Sequence, residues 1–506
     1  MDGILQKQMI VRVQNSVACV LAKEAIYRNG FFMSQALPMY QDFAEKLAAL
    51  IRSGTFAPGD KLPSIRQASR ENQVSVTMVL ESYHILENKG LIESRPRSGY
   101  FVKPPSKPVV RSSPTSTYKP KPVRIETSAI FEAVMDSVEN RDMIPFAAAA
   151  PDDSIISLSK LPTLAASIFR KYGAEASRYT PPMGRRELRL ALSRRLLGCG
   201  IKAMPDGIVT THGATEALSL ALRVTTKVGD LVAVESPTYF GILNLIRDLG
   251  LRAIEIPVCE TTGLSIDALE KALEKHPIAA CVVQPSFQNP LGCSMPAEDK
   301  KRLANLSNAR GFTIIEDDVY GDLGHSGDRP PSISLYGGDV IHCGSTSKTV
   351  APGLRVGWVV PGSHLQKIKY LKTIQCPWNA TLSELIVAEF LDGGGYDRHL
   401  RRIRKIYASQ CARMRSEVVR HFPKSCKITA PAGGFVLWIE MPEKFDSEAY
   451  TVEAISRGIS VVPGTIFSPT LQFKNCLRLS CGVSLSPRTL EGLALLGRLA
   501  TRHLVP

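Results

Sequence analysis

Between residues 207 and 343 the chain repeats one pattern: a short apolar run, a turn of small or polar residues, then a stretch of helical periodicity. The apolar runs are Gly207-Ile208-Val209-Thr210, Leu231-Val232-Ala233-Val234, Ala279-Ala280-Cys281-Val282-Val283, Thr313-Ile314-Ile315 and Val340-Ile341-His342-Cys343. Strands this short and apolar on both faces must be covered on both faces. Their alternation with helices predicts a mostly parallel sheet between two helical layers. On such sheets ligands bind outside the carboxyl ends of the strands, so the residues that follow each run carry the functional information.

The first run leads into His212-Gly213-Ala214-Thr215, a small-residue turn opening a helix, where free backbone N–H groups can meet a phosphate. The second leads to Tyr239-Phe240-Gly241, whose tyrosine can stack on a ring, and the third to Asn289-Pro290, whose amide can bond a phenolate. The fourth leads to Glu316-Asp317-Asp318-Val319-Tyr320, where a buried carboxylate can keep a pyridine nitrogen protonated. The fifth leads to Gly344-Ser345-Thr346-Ser347-Lys348, with Arg355 seven residues further on. Taken singly, each has an ordinary reading: a glycine turn, a core tyrosine, an Asn-Pro turn, a solvated acidic rim. In order on successive strand ends they meet the needs of pyridoxal phosphate (PLP). These are a lysine amine for the aldehyde, an acid for the pyridinium nitrogen, and hydroxyls and a cation for the phosphate.

A different pattern occupies residues 37–102. Phe43, Leu47, Leu50 and Ile51 recur at helical spacing. Ser64 and Ser75 are placed as N-caps of two further helices, the second with Val79, Tyr83 and Leu86 on its inner face and Gly90 after its end. Leu91–Arg95 and Gly99–Val102 flank Pro96-Arg97-Ser98 as a hairpin. This is the layout of a winged helix-turn-helix. The runs Ser53-Gly54-Thr55-Phe56-Ala57-Pro58-Gly59, Leu62-Pro63-Ser64-Ile65-Arg66, Val74-Ser75 and Ser98-Gly99-Tyr100-Phe101-Val102 resemble the GntR-type DNA-binding domain of bacteria. The resemblance implies that Arg66 grips a phosphate. It also implies that Ser75, Val76 and Thr77 open the recognition helix facing the major groove, and that Arg95 and Arg97 lie on the wing. Many relatives carry Arg where this chain has Val76 and Thr where it has Met78. Without a bidentate arginine–guanine contact, readout is expected to lean on thymine methyls, DNA shape and phosphates.

Residues 103–124 separate the two patterns. Pro104, Pro105, Pro108, Pro114, Pro120 and Pro122 disfavour helix and strand and favour extended polyproline II, with a reach of roughly 60–70 Å at about 3.1 Å per residue. The stretch also holds Lys103, Lys107, Arg111, Lys119, Lys121 and Arg124 and no acid, part of a formal net charge of +15 over 506 residues. That suits a tether near a polyanion, and equally a solvated linker. The length predicts two to four domains. The eleven cysteines include no Cys-x-x-Cys pair, the usage of a cytosolic protein with reduced thiols. No apolar run approaches a membrane span, and Arg12, Gln14 and Asn15 break the one N-terminal segment suited to a signal peptide. Residues 1–36 fit no pattern and read as a flexible extension, or as a start assigned ahead of Met33.

The ordered strand-end motifs resemble the fold-type I aminotransferases, in the subgroup that includes kynurenine and 2-aminoadipate aminotransferases, over nearly all of 140–500. The resemblance implies, within 125–506, a large α/β domain with a mostly parallel sheet and a small C-terminal α/β domain. It implies that Lys348 forms the internal aldimine with PLP, that Asp317 pairs with the pyridinium N1, and that Tyr320 and Asn289 bind the ring hydroxyl. Tyr239 would stack on the ring, and Ala214, Thr215, Ser345, Ser347 and Arg355 would surround the phosphate. Arg478, in Leu477-Arg478-Leu479-Ser480, would hold a substrate carboxylate. Tyr179, in Tyr179-Thr180-Pro181-Pro182-Met183-Gly184, would reach the phosphate of a second subunit. Asp318 receives only a structural role.

A GntR-type winged helix, a Pro-rich basic tether and an aminotransferase-like domain together resemble the MocR subfamily of bacterial transcription regulators. That resemblance implies a cytoplasmic homodimer that binds a double-stranded DNA operator. It would sense PLP, or PLP with an amino acid or amine effector, through aldimine chemistry at Lys348. No metal is expected. The same residues suit an active aminotransferase whose DNA-binding module is secondary, and turnover of an amino donor with a 2-oxo acid separates the two.

Overall fold

The computed structural model describes residues 39–52, 55–56, 60–95, 99–102, 119–126, 128–155 and 161–504. The expected extension over 1–36, most of the Pro-rich stretch, and Arg97 lie outside the described residues. The chain divides into two compact units, Met1–Val110 and Arg111–Pro506. Among the described residues no helix is long and apolar enough to cross a membrane.

The first unit contains α1 (Met39–Arg52), α2 (Ile65–Glu71), α3 (Val76–Asn88), β1 (Ile92–Arg95) and β2 (Gly99–Val102). Ser64 Oγ accepts the Gln67 N–H at 3.3 Å and Ser75 Oγ accepts the Met78 N–H at 3.1 Å. Each cap satisfies a donor that the first helical turn leaves open. Ala44, Leu62, Ala68, Val79, Tyr83, Leu86, Ile92 and Val102 form the core. The Tyr83 hydroxyl donates to Pro63 O at 2.8 Å, and its ring meets Tyr100 edge-on at 5.0 Å. One side chain of α3 thereby fixes both the chain before α2 and the wing. β1 and β2 pair antiparallel from Ile92↔Val102 to Arg95↔Gly99, and Lys61 bridges to Phe101 on the other edge of β2. This is the expected winged helix.

The second unit opens with α4 (Ile130–Glu139), β3 (Ile144–Pro145), α5 (Leu161–Tyr172) and α6 (Arg186–Leu197). Its main sheet is built from β4 (Val209–Thr211), β5 (Leu231–Ser236), β6 (Arg252–Cys259), β7 (Gly263–Leu264), β8 (Ile278–Val283), β9 (Thr313–Asp317), β10 (Val340–Ser345) and β11 (Gly357–Val360). Four helices are interleaved with the strands: α7 (Ala214–Thr225), α8 (Phe240–Asp248), α9 (Ile266–Lys275) and α10 (Ala297–Arg310). The strand order is β4-β11-β10-β9-β8-β5-β6-β7. β10, β9, β8, β5 and β6 run parallel, while β11 and β7 run against their neighbours.

Alternate residues of each central strand enter opposite cores. Val232 and Val234 join one cluster with α7 and α8, whereas Leu231 and Ala233 join another with α9 and α10. That is the double cover the apolar runs require. β6 and β11 lie outside the five runs. β6 carries Arg252 and Glu255 and so does not read as apolar, and β11 has only four residues. Val123 exchanges two 2.9 Å backbone hydrogen bonds with Ala253 of β6. The last residues of the Pro-rich stretch are therefore held on the sheet, where they cover part of an open edge.

α11 (Leu365–Gln375), α12 (Thr381–Asp392) and the long α13 (Gly395–His421) lead to the small domain. It contains β12 (Lys427–Ile428), β13 (Val436–Glu440), α14 (Ser447–Ser456), β14 (Ile459–Ser460), β15 (Val462–Pro463), β16 (Cys476–Ser480) and α15 (Pro487–Arg502). Its antiparallel sheet has the order β12-β13-β16-β15, and β14 pairs in parallel with β3. Arg478 sits at the centre of β16, opposite Trp438 on one side and Val462 on the other. The Ser480 N–H donates to Phe146 O at 2.8 Å, so the residues just after β3 run beside the strand that carries Arg478.

Candidate functional site

The phosphate-type turn forms where β4 ends. Gly213 caps α7 with φ 86°, and a side chain on it would come within 2.6 Å of Arg355 Nη2. Arg355 has φ 52° itself and donates from Nη2 to His212 O at 2.8 Å. Ala214 and Thr215 are the first two residues of α7, where backbone N–H groups have no helical acceptor. Ser345, the last residue of β10, has its Oγ 2.9 Å from Ser347 Oγ and 3.0 Å from Val356 O. Glycine, helix terminus, hydroxyls and guanidinium are therefore presented by adjoining strand ends, since β4 and β10 both pair with β11. Beside this turn, His212, Glu216 and Cys376 bring Nδ1, a carboxylate oxygen and Sγ within 4.8 Å of one another. The Glu216 carboxylate is already held by the His212 N–H at 2.6 Å and Lys372 Nζ at 2.7 Å.

A second group is buried next to it. Asp317 closes β9 and lies inside the strand rather than beyond it, because β9 extends two residues past the apolar run. Burial pushes its carboxyl up to about 6, against hydrogen bonding from Gln284 and the attraction of Lys348. Lys348 is lowered to about 8, by burial first and then by the positive charge of Arg478, while Asp317 pulls the other way. Arg478 is itself lowered to about 10 by burial. Burial also raises the Tyr320 and Tyr239 hydroxyls, and both feel Asp317 and Arg478. Asp317, Lys348, Arg478, Tyr239 and Tyr320 thus lie within electrostatic reach of one another. Gly241 lies against the Tyr239 ring, where a Cβ would fall 2.4 Å from it.

Among the described residues, four buried atoms here have no hydrogen-bond partner: Asp317 Oδ1, Asn289 Oδ1, and Nε and Nη1 of Arg478. Buried polar atoms in folded proteins are paired almost without exception. One carboxylate oxygen, one amide oxygen and two open guanidinium N–H groups fit a ligand with a ring N–H, a ring hydroxyl and an acid group. The residues present fit PLP.

Two contacts had no signal in the sequence pattern. Lys348 Nζ donates to Ala149 O at 2.6 Å, and Arg478 Nη2 donates to Ala147 O at 2.6 Å. Both acceptors are main-chain atoms, so no side chain announced them. Gln284, whose Nε2 donates to Asp317 Oδ2 at 2.6 Å, was also missed. Asp318 points away from Asp317 into an ion pair with Arg329 at 2.6 Å. Tyr179 does not join the buried group. It is 78% exposed and stacks on Trp378, with ring centroids 4.4 Å apart.

In the first unit Arg66 is exposed near the start of α2. Val76 and Thr77 open α3 and are exposed, Val76 at 50%. Ser75 caps the same helix, Arg95 ends β1, and Arg97 lies outside the described residues. An apolar side chain is thus presented to solvent at the leading turn of the third helix.

Residues 141–494 match the family "Aminotransferase class I and II", and residues 39–102 match "Bacterial regulatory proteins, gntR family". The chain is 37% identical to the uncharacterized HTH-type transcriptional regulator YjiR of Escherichia coli, over 92% of this chain and 99% of that protein. It is 34% identical to the uncharacterized HTH-type transcriptional regulator YdcR of the same organism, over the same shares. Among solved structures, LysN of Thermus thermophilus, an alpha-aminoadipate aminotransferase complexed with N-(5'-phosphopyridoxyl)-L-leucine, superposes with a TM-score of 0.69 at 30% identity. That match covers 75% of this chain and 96% of LysN.

Proposed function

Because this chain belongs to the HTH-type transcriptional regulators that join a gntR-family domain to an aminotransferase class I and II domain, the MocR-type architecture, we propose that it binds an operator in double-stranded DNA and adjusts transcription to PLP, or to PLP with an amino acid or amine. One observation carries the reading. A lysine, an acid, two tyrosines and an arginine are buried within electrostatic reach of one another, and the acid and the arginine carry buried atoms with no hydrogen-bond partner, in a chain whose other unit is a winged helix.

Lys348 would hold the cofactor aldehyde, Asp317 the ring nitrogen, Asn289 and Tyr320 the ring hydroxyl, and Tyr239 a face of the ring. Ala214, Thr215, Ser345, Ser347 and Arg355 would hold the phosphate. Bound PLP supplies an electron-withdrawing ring joined to an amine through an imine. The protein contributes the rest. Lys348, lowered to about 8, presents a larger fraction of neutral amine at physiological pH than an ordinary lysine. Arg478, buried at the centre of β16, has Nε and Nη1 open to donate to a ligand carboxylate. Tyr179, exposed and braced by Trp378, suits contact with a second subunit, in keeping with a cytoplasmic homodimer on a two-fold operator. Residues 103–118 then act as the tether between the DNA-binding unit and the sensing unit.

The test combines spectroscopy with footprinting. PLP-loaded protein is titrated with amino acids and amines, and any ligand that changes the cofactor absorbance is tested for its effect on binding to the DNA upstream of the gene. A Lys348→Ala protein should lose the absorbance and the ligand response and still bind DNA. Wild-type protein that takes up no PLP, or whose DNA binding ignores every ligand that changes the spectrum, overturns the reading.

A further inference from the structure

Asp317 is held from behind by a residue with no role so far. Gln284 follows β8 and is buried, 3% exposed. Its Nε2 donates to Asp317 Oδ2 at 2.6 Å, and its Oε1 accepts the Asn289 N–H at 3.1 Å. Its own backbone N–H donates to Oε2 of Glu235, at the end of β5, at 3.1 Å. Gln288 Nε2 lies 3.4 Å from the same oxygen and donates to Pro237 O at 2.7 Å. One carboxamide therefore ties together the acid placed for the ring nitrogen and the amide placed for the ring hydroxyl. It occupies Oδ2 of Asp317 and leaves Oδ1 buried and open.

We propose that Gln284 is a positioning residue: it aims Oδ1 of Asp317 at the ring nitrogen of PLP. The inference rests on the PLP reading. The orientation of the amide is fixed by its neighbours, because a flipped Gln284 would set an oxygen against a carboxylate and an NH2 against an N–H. A donor on Oδ2 favours the ionised form of Asp317, and only that form attracts a protonated ring nitrogen. Burial works in the other direction, raising Asp317 to about 6 and Glu235 to about 8. Near pH 7 Glu235 accordingly serves as a mostly neutral acceptor behind Gln284, and Asp317 carries charge where the ring needs it.

The experiment compares two cofactors. Full-length wild type and Gln284→Leu are titrated with PLP and with 1-deaza-PLP, which has a CH group in place of the ring nitrogen. Affinity, bound-cofactor absorbance and thermal melting of the cofactor-free proteins are recorded. Gln284→Leu should bind PLP about tenfold to a hundredfold more weakly, the range expected for a lost hydrogen bond to a charged group. Its bound spectrum should move toward that of an unprotonated ring, while its affinity for 1-deaza-PLP stays within about twofold of wild type. An equal loss with both cofactors, or no loss with either, overturns the proposal. Should Gln284→Leu not fold, Gln284→Glu carries the same comparison, since it keeps the shape and sets a carboxyl against Asp317. Failure of wild-type protein to take up PLP is a separate result and removes the PLP reading itself.

Discussion

Lys348 Nζ donates a hydrogen bond to the carbonyl of Ala149 across 2.6 Å, although 199 residues separate them in the chain. Two residues earlier, Ala147 accepts from Arg478 in the same way. The segment after β3 thus reads out the two cations of the site with its main chain. That segment follows α4 and the residues docked on β6, so it is continuous with the end of the Pro-rich stretch. A ligand that engages Lys348 competes for the donor that now holds Ala149.

The first prediction follows from the lowered lysine. The nucleophile toward an aldehyde is the neutral amine, so the rate of PLP capture should rise with pH and reach half its maximum near the value of about 8 set for Lys348. Removing the Arg478 charge, as in Arg478→Met, should move that midpoint upward. Asp317→Asn removes an attraction that favours the ammonium and should move it downward. Stopped-flow absorbance against pH measures it. A midpoint at the ordinary lysine value of 10.5 contradicts the cluster.

Arg478 separates two classes of effector. Its Nε and Nη1 are buried and open, and a charge-assisted hydrogen bond from there to a carboxylate is worth roughly 1.5–3 kcal/mol. Arg478→Met should therefore weaken an amino acid ligand by that amount and leave a simple amine nearly unaffected. Equilibrium titrations of the PLP-loaded protein with an amino acid and its decarboxylated amine decide it. Equal losses for both would remove Arg478 from the carboxylate site.

Glu235 should make the cofactor-free protein pH-sensitive. Its carboxyl is raised from 4.5 to about 8 by burial. A group whose folded value lies above its unfolded value stabilises fully below the unfolded value and loses that contribution as pH climbs through the folded one. Asp317, raised from 3.8 to about 6, acts with the same sign over a lower window. Wild-type melting temperature should thus fall between about pH 5 and 8, and Glu235→Gln should flatten the upper part of that fall. The difference between the two melting curves should be largest at the alkaline end. A difference that does not change with pH refutes the assignment.

The sequence was legible wherever the fold repeats a period. The doubly apolar strands, the serine caps at Ser64 and Ser75, and the strand-end positions of Gly213, Asn289 and Lys348 all follow from local rules. β6 and β11 escaped because β6, next to the two-residue edge strand β7, carries charge and because β11 joins β10 by antiparallel pairing, outside the βα repeat. Gln284 escaped for another reason. It is one amide just past an apolar run, and its meaning comes from Asp317, 33 positions away. The carbonyls of Ala147 and Ala149 carry no side-chain signature, so long-range main-chain contacts of this kind appear only in three dimensions.

The last prediction concerns the DNA-binding unit. Val76 is half exposed at the first turn of α3 and Arg66 is exposed near the start of α2. On the operator-binding reading, Val76 faces base edges, where an apolar side chain suits a thymine methyl and an arginine suits guanine O6 and N7. Val76→Arg should shift preference at one position toward guanine by about 1–3 kcal/mol, leaving the melting of the unit unchanged because the side chain lies outside the core. Arg66→Ala should weaken binding to all sequences alike and lower the salt slope by about 1, as expected for one lost phosphate contact. Selection from randomised DNA, followed by binding isotherms at several salt concentrations, measures both. If Val76→Arg leaves base preference untouched while Arg66→Ala alters it, α3 is not the reading helix and the roles of the two helices must be exchanged.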